Sequence, residues 1–417
     1  MSVFFLKALG AIGALCFALF AKKVLPIDVV ADVFLAYSIV NILSVAYRFG
    51  SEAALLKVIP LLNERKDYQS IRYYAVLSCR KVFYIFIVCV TICVISGVFF
   101  SISYTYYYSI TLALLWSLLY VLGNIFQSIN RPVLAIFCMN ISLPFVFCLS
   151  LTAYYFNFIS IAREIFLLTG LCLLIFLLAA IRVYIQVIPT VIGDRSEIQC
   201  SEDYTYISRN TFLGSVSQQV IQWFTPLIAG VYLEPEASSA YFFSQRVAFS
   251  VGFLLVVANF KILPYVSLAV AKGNIYLAVL ELKKANFIVA LLGLICLIVI
   301  GFSAGVILDF AGYRADGLEK VLIVLLGAQL FNVLTGSISN LLNMVGLSKY
   351  GMFAIVISSL VNVGSCVLLI NFWGEIGLAV SVVISVAVLN VTQVIILYWK
   401  EKILFSPFLI GGKGLAR

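Results

Sequence analysis

Two arginines, Arg48 and Arg246, lie deep inside hydrophobic segments long enough to cross a bilayer. A guanidinium keeps its proton under all physiological conditions, and placing one in hydrocarbon costs at least ~2.5 kcal/mol. Such a residue normally faces a protein interior or a watery cavity and has an anionic partner there. Each arginine falls on the second span of one of two related halves. This placement predicts that they face each other across a central cavity holding something negatively charged. Glu52 stands four residues after Arg48, so an ion pair that only locks helix packing is the competing role for that residue.

The surroundings of both arginines are polar in a periodic way. Tyr37, Asn41, Ser44, Arg48 and Glu52 recur at three- or four-residue spacing and form one stripe on an otherwise apolar helix. Ser239, Phe242, Arg246, Ser250 and Asn259 make a weaker stripe in the second half, with no carboxylate four residues from Arg246 on either side. Lys57 and Lys261 lie near the cytoplasmic ends of the same helices. They either snorkel to headgroups or capture a lipid phosphate on entry. Glu52, Asp28 and Asp32 are the candidates for coupling to an ion, Glu52 being the deepest; solvated interfacial positions are the alternative for the two aspartates. Amides cluster at Asn124, Gln127 and Asn130, at Gln218, Gln219 and Gln222, and at Asn332, Asn340 and Asn343. They serve interhelical hydrogen bonding or contact hydroxyl-rich ligands such as sugars, with Asn124, Gln127, Asn340 and Asn343 as the candidate sugar contacts.

The elements that must carry these residues follow from composition. Of 417 residues, 64% are hydrophobic and only 11% charged, against about 25% in soluble domains. The mean hydropathy is +1.13. Apolar runs recur from end to end, which defines an all-α polytopic membrane protein. Twelve spans are predicted at 2–21, 29–60, 82–103, 107–130, 132–156, 164–188, 207–233, 237–266, 285–309, 319–344, 350–372 and 376–399. The second and eighth remain helix-compatible for about 30 residues up to Pro60 and Pro264, so they must tilt or bend. Residues 2–21 lack a cleavage signal and run into Lys22 and Lys23, so they count as a helix. Tyr104, Tyr106, Tyr107 and Tyr108 form an interfacial belt.

Several function classes drop out. The net charge of +9 comes from Lys and Arg in short polar breaks, with no basic–aromatic surface for nucleic acid. The absence of histidine excludes His-based zinc sites, Ser-His triads and imidazole relays. There is no phosphate-binding G-x-x-x-x-G-K-[ST] loop, so an ATP-driven pump would need another subunit. Ten cysteines lie mostly in apolar runs without a C-x-x-C pair and read as small buried hydrophobes, Cys89 and Cys93 sharing a helix face. No metal or cofactor is implied. A membrane glycan polymerase or ligase would need a large external loop, and every external loop here is short.

Shifting the chain by 204 residues aligns Leu9-Gly10 with Leu213-Gly214, Ala36-Tyr37 with Ala240-Tyr241, Phe49 with Phe253, and Lys57 and Pro60 with Lys261 and Pro264. That offset covers six spans, an even number, so the halves run parallel with the site between them. The expected organisation is an N-terminal half at 1–188, a cytoplasmic linker at 189–206, a C-terminal half at 207–399 and a cytoplasmic tail at 400–417. With the N-terminus inside, eighteen basic residues fall on the cytoplasmic side and five opposite, which places both termini in the cytoplasm.

The stretches LKALGAIGALCFALFAKKVLP, AYSIVNILSVAYRFGSEAALLKVIP and AYFFSQRVAFSVGFLLVVANFKILPYVS, with GSISNLLNMVGLSKYGMFAIVISSLVNVGSCVLL farther on, resemble the multidrug/oligosaccharidyl-lipid/polysaccharide (MOP) exporter superfamily. Within it the chain resembles the bacterial O-antigen flippases of the Wzx type. The resemblance implies movement of undecaprenyl-pyrophosphate-linked oligosaccharide from the cytoplasmic to the periplasmic leaflet of the inner membrane. It serves O-antigen, and so lipopolysaccharide, or another surface polysaccharide, by ion-coupled alternating access in a monomer. A polysaccharide polymerase and a chain-length regulator are the implied partners, besides membrane lipid. Flippases of this superfamily tend to have a cationic cavity, and Arg48 and Arg246 fall on the corresponding helices. Lipid II flippases carry two further C-terminal helices, whereas this sequence stops soon after Trp399. Multidrug exporters, the other transport reading, often carry a carboxylate in the first helix, and residues 2–21 have none.

Overall fold

Long apolar runs in a bilayer must satisfy every backbone N–H and C=O internally, and helices do so within one segment. The computed structural model describes residues 2–99, 103–159, 161–188, 202–271, 275–313, 317–408 and 410–411, and nearly all of them are helical. The chain divides into two compact units, Met1–Gln219 and Val220–Arg417. The first holds α1 (Ser2–Val24), α2 (Ile27–Arg48), α3 (Ser51–Glu64), α4 (Tyr68–Phe99), α5 (Tyr104–Ser128), α6 (Pro132–Ile136), α7 (Ser142–Tyr155), α8 (Ala162–Val187) and the start of α9 (Glu202–Tyr232). The second holds the rest of α9 and α10 (Pro235–Ser250), α11 (Phe253–Ala271), α12 (Ile275–Phe302), α13 (Ala304–Ala311), α14 (Leu318–Thr335), α15 (Ile338–Met344) and α16 (Ser348–Glu401). Most of the predicted linker, including Asp194, Arg195 and Glu197, lies outside the described residues.

Among the described residues, ten helices are long and apolar enough to cross a membrane. The last, α16, has 54 residues and turns at Gly374 (φ 53°, ψ −129°). At 1.5 Å per residue it is more than twice the ~30 Å hydrocarbon core, so it holds two spans. Helix α9 is 31 residues long but too polar to count by composition. With these two additions the twelve predicted spans are accounted for.

The second and eighth spans bend as expected, but not where their prolines are. Pro60 lies inside α3 and Pro264 inside α11, so neither ends its helix. The chain breaks earlier, at Phe49 (φ 46°) and Gly50 (φ 68°), both left-handed. The break in the second half is milder. At Val251 and Gly252 the backbone tightens to i→i−3 hydrogen bonds, while Val251 stays right-handed. A third interruption, at Gly336 (φ 65°, ψ −141°), divides the tenth span into α14 and α15.

In the first unit α2 packs on α5, and α5 also packs on α8. These central helices are the enclosed ones: 67% of the best span of α2 and 72% of that of α5 is buried, against 11% for α4. Arg48 thus belongs to an interior helix. In the second unit α14 packs on α16 and α10, and α11 on α12.

The segment after α16, predicted as a tail, contains a short hairpin. Residues 404–405 and 410–411 form a two-stranded antiparallel hairpin. Ile403 and Phe405 are each 1% exposed within a core made with Val279, Leu282, Leu341, Leu342 and Leu397. Ile403 and Phe405 are thus anchored on the helices, while Leu404 and Phe408 stay exposed. Phe405→Ala should therefore cost about 3–5 kcal/mol, the usual loss for a buried phenylalanine. It is read as a lower melting midpoint of the detergent-solubilised protein.

Candidate functional site

The polar stripe of α2 is a continuous chain of hydrogen bonds. Asn41 Nδ2 donates to the Tyr37 carbonyl (2.8 Å), and Ser44 Oγ donates to the Asn41 carbonyl (3.0 Å). Arg48 Nη1 donates to Ser44 Oγ (3.2 Å), and Arg48 Nε donates to Glu52 Oε2 (3.0 Å). The guanidinium carbon lies 3.8 Å from the centroid of the Tyr120 ring, supplied by α5. Arg48 is 2% exposed. A desolvated cation over an aromatic face gains about 2 kcal/mol, on top of its ion pair.

This geometry revises one expectation. Nε and Nη1 of Arg48 are already engaged and one face of the guanidinium is covered, so a bidentate contact through the Nε edge requires Glu52 to leave. The intrahelical pair expected from the i, i+4 spacing also differs in kind. Arg48 ends α2 and Glu52 sits in the first turn of α3, so the pair bridges the break between them.

The break itself is docked on the first turns of α9. Ser208 Oγ donates to the Phe49 carbonyl (2.6 Å) and Thr211 Oγ1 to the Gly50 carbonyl (3.4 Å). The rings of Phe49 and Phe212 stack at 4.2 Å. From α4, Lys81 Nζ donates to Ser208 Oγ (2.9 Å), and the Ser78 and Tyr204 hydroxyls meet at 2.6 Å.

Arg246 has a different environment in the second unit. Its guanidinium carbon lies 4.0 Å from the centroid of the Trp223 ring, 5.2 Å from Phe242 and 6.0 Å from Phe249. Arg246 Nη2 donates to Gln245 Oε1 (3.3 Å). The Gln245 amide is fixed in turn, Nε2 donating to Thr225 Oγ1 and the Gln222 carbonyl, both at 3.3 Å. Arg246 is half-buried, whereas Arg48 is sealed. Tyr120 and Trp223, the aromatic platforms under the two arginines, carry no sequence signal that separates them from ordinary core residues.

The other candidate residues differ in exposure. Lys57 is exposed, and the side chain of Lys261 lies outside the described residues. Asn124 is 2% exposed and bonds back to the Tyr120 carbonyl of its own helix (2.9 Å), while Gln127 is exposed. Asn340 is half-buried and Asn343 exposed. Asp28 is exposed; Asp32 accepts from the Tyr104 hydroxyl (3.3 Å), and the Arg163 guanidinium carbon sits 5.1 Å from the Tyr104 ring centroid. The nine described cysteines are free thiols.

A polar network that the sequence only partly signals surrounds the α14–α15 break. Ser337 Oγ meets the side-chain oxygens of Asn259 and Asn286. Asn390 Nδ2 donates to Asn332 Oδ1 (3.0 Å), Thr335 Oγ1 donates to Asn390 Oδ1 (2.6 Å), and Ser339 Oγ donates to Gln393 Oε1 (2.7 Å). Of these, Asn259 and Asn332 stand in the sequence-derived groups, whereas Asn286, beside Lys283 and Lys284, and the Asn390–Gln393 pair do not.

Neither a family model nor a curated protein matches the chain. Solved structures do. An inward-facing multidrug resistance MATE family transporter of the MOP superfamily superposes with a TM-score of 0.69 at 16% identity, over 94% of this chain and 93% of that one. The lipid II flippase MurJ, in an inward closed conformation, gives 0.65 at 16% identity over 95% and 86%. A MOP superfamily transporter from Pyrococcus furiosus, characterised by a binding pocket of reverse polarity, gives 0.61 at 16% identity over 94% and 92%. The chain has the fold of MOP superfamily transporters. That fold is shared by multidrug transporters and a lipid flippase at similar scores, so the MOP architecture alone does not choose between cargoes.

Proposed function

We propose that this protein is a flippase for a lipid-linked oligosaccharide, moving an undecaprenyl-pyrophosphate-linked O-antigen or related surface polysaccharide unit from the cytoplasmic to the periplasmic leaflet. The observation that carries the reading is a pair of arginines within the enclosed spans of a MOP fold, one in each unit, each laid against an aromatic ring. Moving such a cargo means carrying a pyrophosphate and several sugars past hydrocarbon while the polyprenyl tail stays in lipid. Arg246 and Arg48 take the phosphate charge through charge-assisted hydrogen bonds. Lys57 and Lys261 attract the headgroup at the membrane surface. Gln127, Asn340 and Asn343 are the amides left to meet sugar hydroxyls, since Asn124 is committed to its own helix. Similarity to a lipid II flippase supports a lipid-linked cargo, and gradient-driven alternating access fits a chain with no nucleotide-binding loop. Glu52 is the carboxylate best placed for coupling, because it contacts the cation that cargo would claim.

A second reading, a multidrug or cation antiporter, is favoured by the 0.69 superposition on a MATE family transporter and by the aromatic rings around Arg246. The guanidiniums themselves oppose it, since they repel a cationic drug. The deciding experiment follows transbilayer movement of a polyprenyl-pyrophosphate oligosaccharide in proteoliposomes, with a cationic dye in parallel. Wild type should move the lipid and not the dye, and Arg48→Ala/Arg246→Ala should move neither. Dye movement without lipid movement by folded protein would transfer the chain to the multidrug reading.

A further inference from the structure

The Arg48–Glu52 pair, the α2–α3 break and the first turns of α9 form one connected assembly. Arg48 is the last residue of α2, and Glu52 stands in the first turn of α3. Their ion pair, with the hydrogen bond from Ser51 Oγ to the Arg48 carbonyl, is what ties the two helices across two left-handed residues. Those same two residues give their carbonyls to Ser208 and Thr211 of α9, and Phe49 stacks on Phe212. α9 is also the helix that runs on beyond Gln219 into the second unit.

Resting on the phosphate reading above, we propose that Glu52 is a positioning residue that holds Arg48 while the site is empty and yields it to cargo phosphate. That exchange loosens the break and releases the first turns of α9. A carboxylate oxygen and a phosphate oxygen compete for the same Nε–H. The guanidinium cannot swing to serve both, because Tyr120 covers its face at 3.8 Å and Ser44 holds Nη1. The two partners differ in where they can go. The Arg48 side chain is 3% exposed and has no water to retreat to, whereas that of Glu52 keeps 20%. The carboxylate is therefore the member that leaves. Once it has left, the charge link from α2 to α3 is gone, and the strap on α9 bears on a break held by one fewer tie. Charge recognition at Arg48 is thereby converted into freedom of a helix.

The test uses the full chain in detergent and inorganic pyrophosphate as the probe, with affinity read by calorimetry. Glu52→Gln should bind pyrophosphate about tenfold more tightly than wild type, because a competing anion is removed. In an Arg48→Ala background the same substitution should change nothing. Ser208→Ala alters no charge but weakens the strap, so by linkage it should tighten binding about two- to fivefold. A Phe49→Cys/Phe212→Cys pair reports the strap directly, the 49–212 bond being identified by mass spectrometry. Its yield should fall on adding pyrophosphate and be low from the outset with Glu52→Gln. Glu52→Asp, which keeps the charge but shortens its reach, replaces the amide variant if that one misfolds, and should bind between the two. Unchanged affinity in the Glu52 variants, with Arg246→Ala still weakening binding, would overturn this inference and leave the phosphate reading standing. Binding that depends on neither arginine would remove both.

Discussion

Replacing Arg246 with alanine is expected to reduce transport of a polyprenyl-pyrophosphate oligosaccharide by roughly 30-fold or more, the cost of truncating a half-buried, hydrogen-bonded charge at about 2 kcal/mol or more. Arg246 is the more accessible arginine: it is half-buried, and its contacts include three aromatic rings and the Gln245 amide oxygen. The rings and the amide orient its guanidinium. Arg48 is compensated by Glu52. Arg48→Ala should also weaken binding, but by less than the full worth of a new charge contact, because Arg48 gives up its ion pair with Glu52 when it takes the anion. Arg246→Lys sharpens the argument. It keeps the charge but loses the planar stack on Trp223 and the fork, so it should retain activity at about a tenth of wild type. The assay is the initial rate of lipid movement in proteoliposomes, normalised to correctly inserted protein, with thermal melting as the control for folding. Wild-type rates from Arg246→Ala would remove phosphate recognition from this residue and leave it as packing under the aromatic rings.

What the sequence discloses here divides along a physical line. The Arg48–Glu52 contact is legible because i, i+4 neighbours meet on any helix face, and the stripe from Tyr37 to Glu52 follows from the same periodicity. The long second span is legible because hydropathy counts residues. Its break is not, because the visible breaker was Pro60, which α3 accommodates, whereas the left-handed turn falls on Phe49 and Gly50. Phenylalanine rarely adopts that conformation, and contacts from α9, some 160 residues on, help to hold it there. Tyr120 and Trp223 were hidden for the same reason, since an aromatic residue in an apolar run reads alike whether it faces lipid, core or a cation. The hairpin after α16 escaped because its burial depends on a bundle end assembled from α11, α12, α15 and α16.

Gly50→Ala should be the most destabilising small substitution in the first unit. The backbone there has φ +68°, and a Cβ would stand 2.1 Å from the Ser208 carbonyl oxygen and 3.0 Å from the Phe212 nitrogen. Left-handed backbone costs a residue with a Cβ about 1–2 kcal/mol, whatever the space around it. The overlap adds to that, because the atoms it meets are backbone and cannot turn aside. To admit the methyl group, α9 must move off the break. That motion stretches the hydrogen bonds from Ser208 and Thr211 and separates the Phe49 and Phe212 rings together. A total loss of about 3–5 kcal/mol follows, in the range reserved for strain combined with a broken network. Gly346→Ala isolates the second contribution. Gly346 also has a positive φ, +82°, but a Cβ there meets nothing within 4 Å. That variant should lose only the conformational part, so the gap between the two melting midpoints measures the close approach of α3 to α9. If the two variants melt together, α9 gives way freely at Ser208, and the strap is too soft to hold the break against the Arg48–Glu52 exchange.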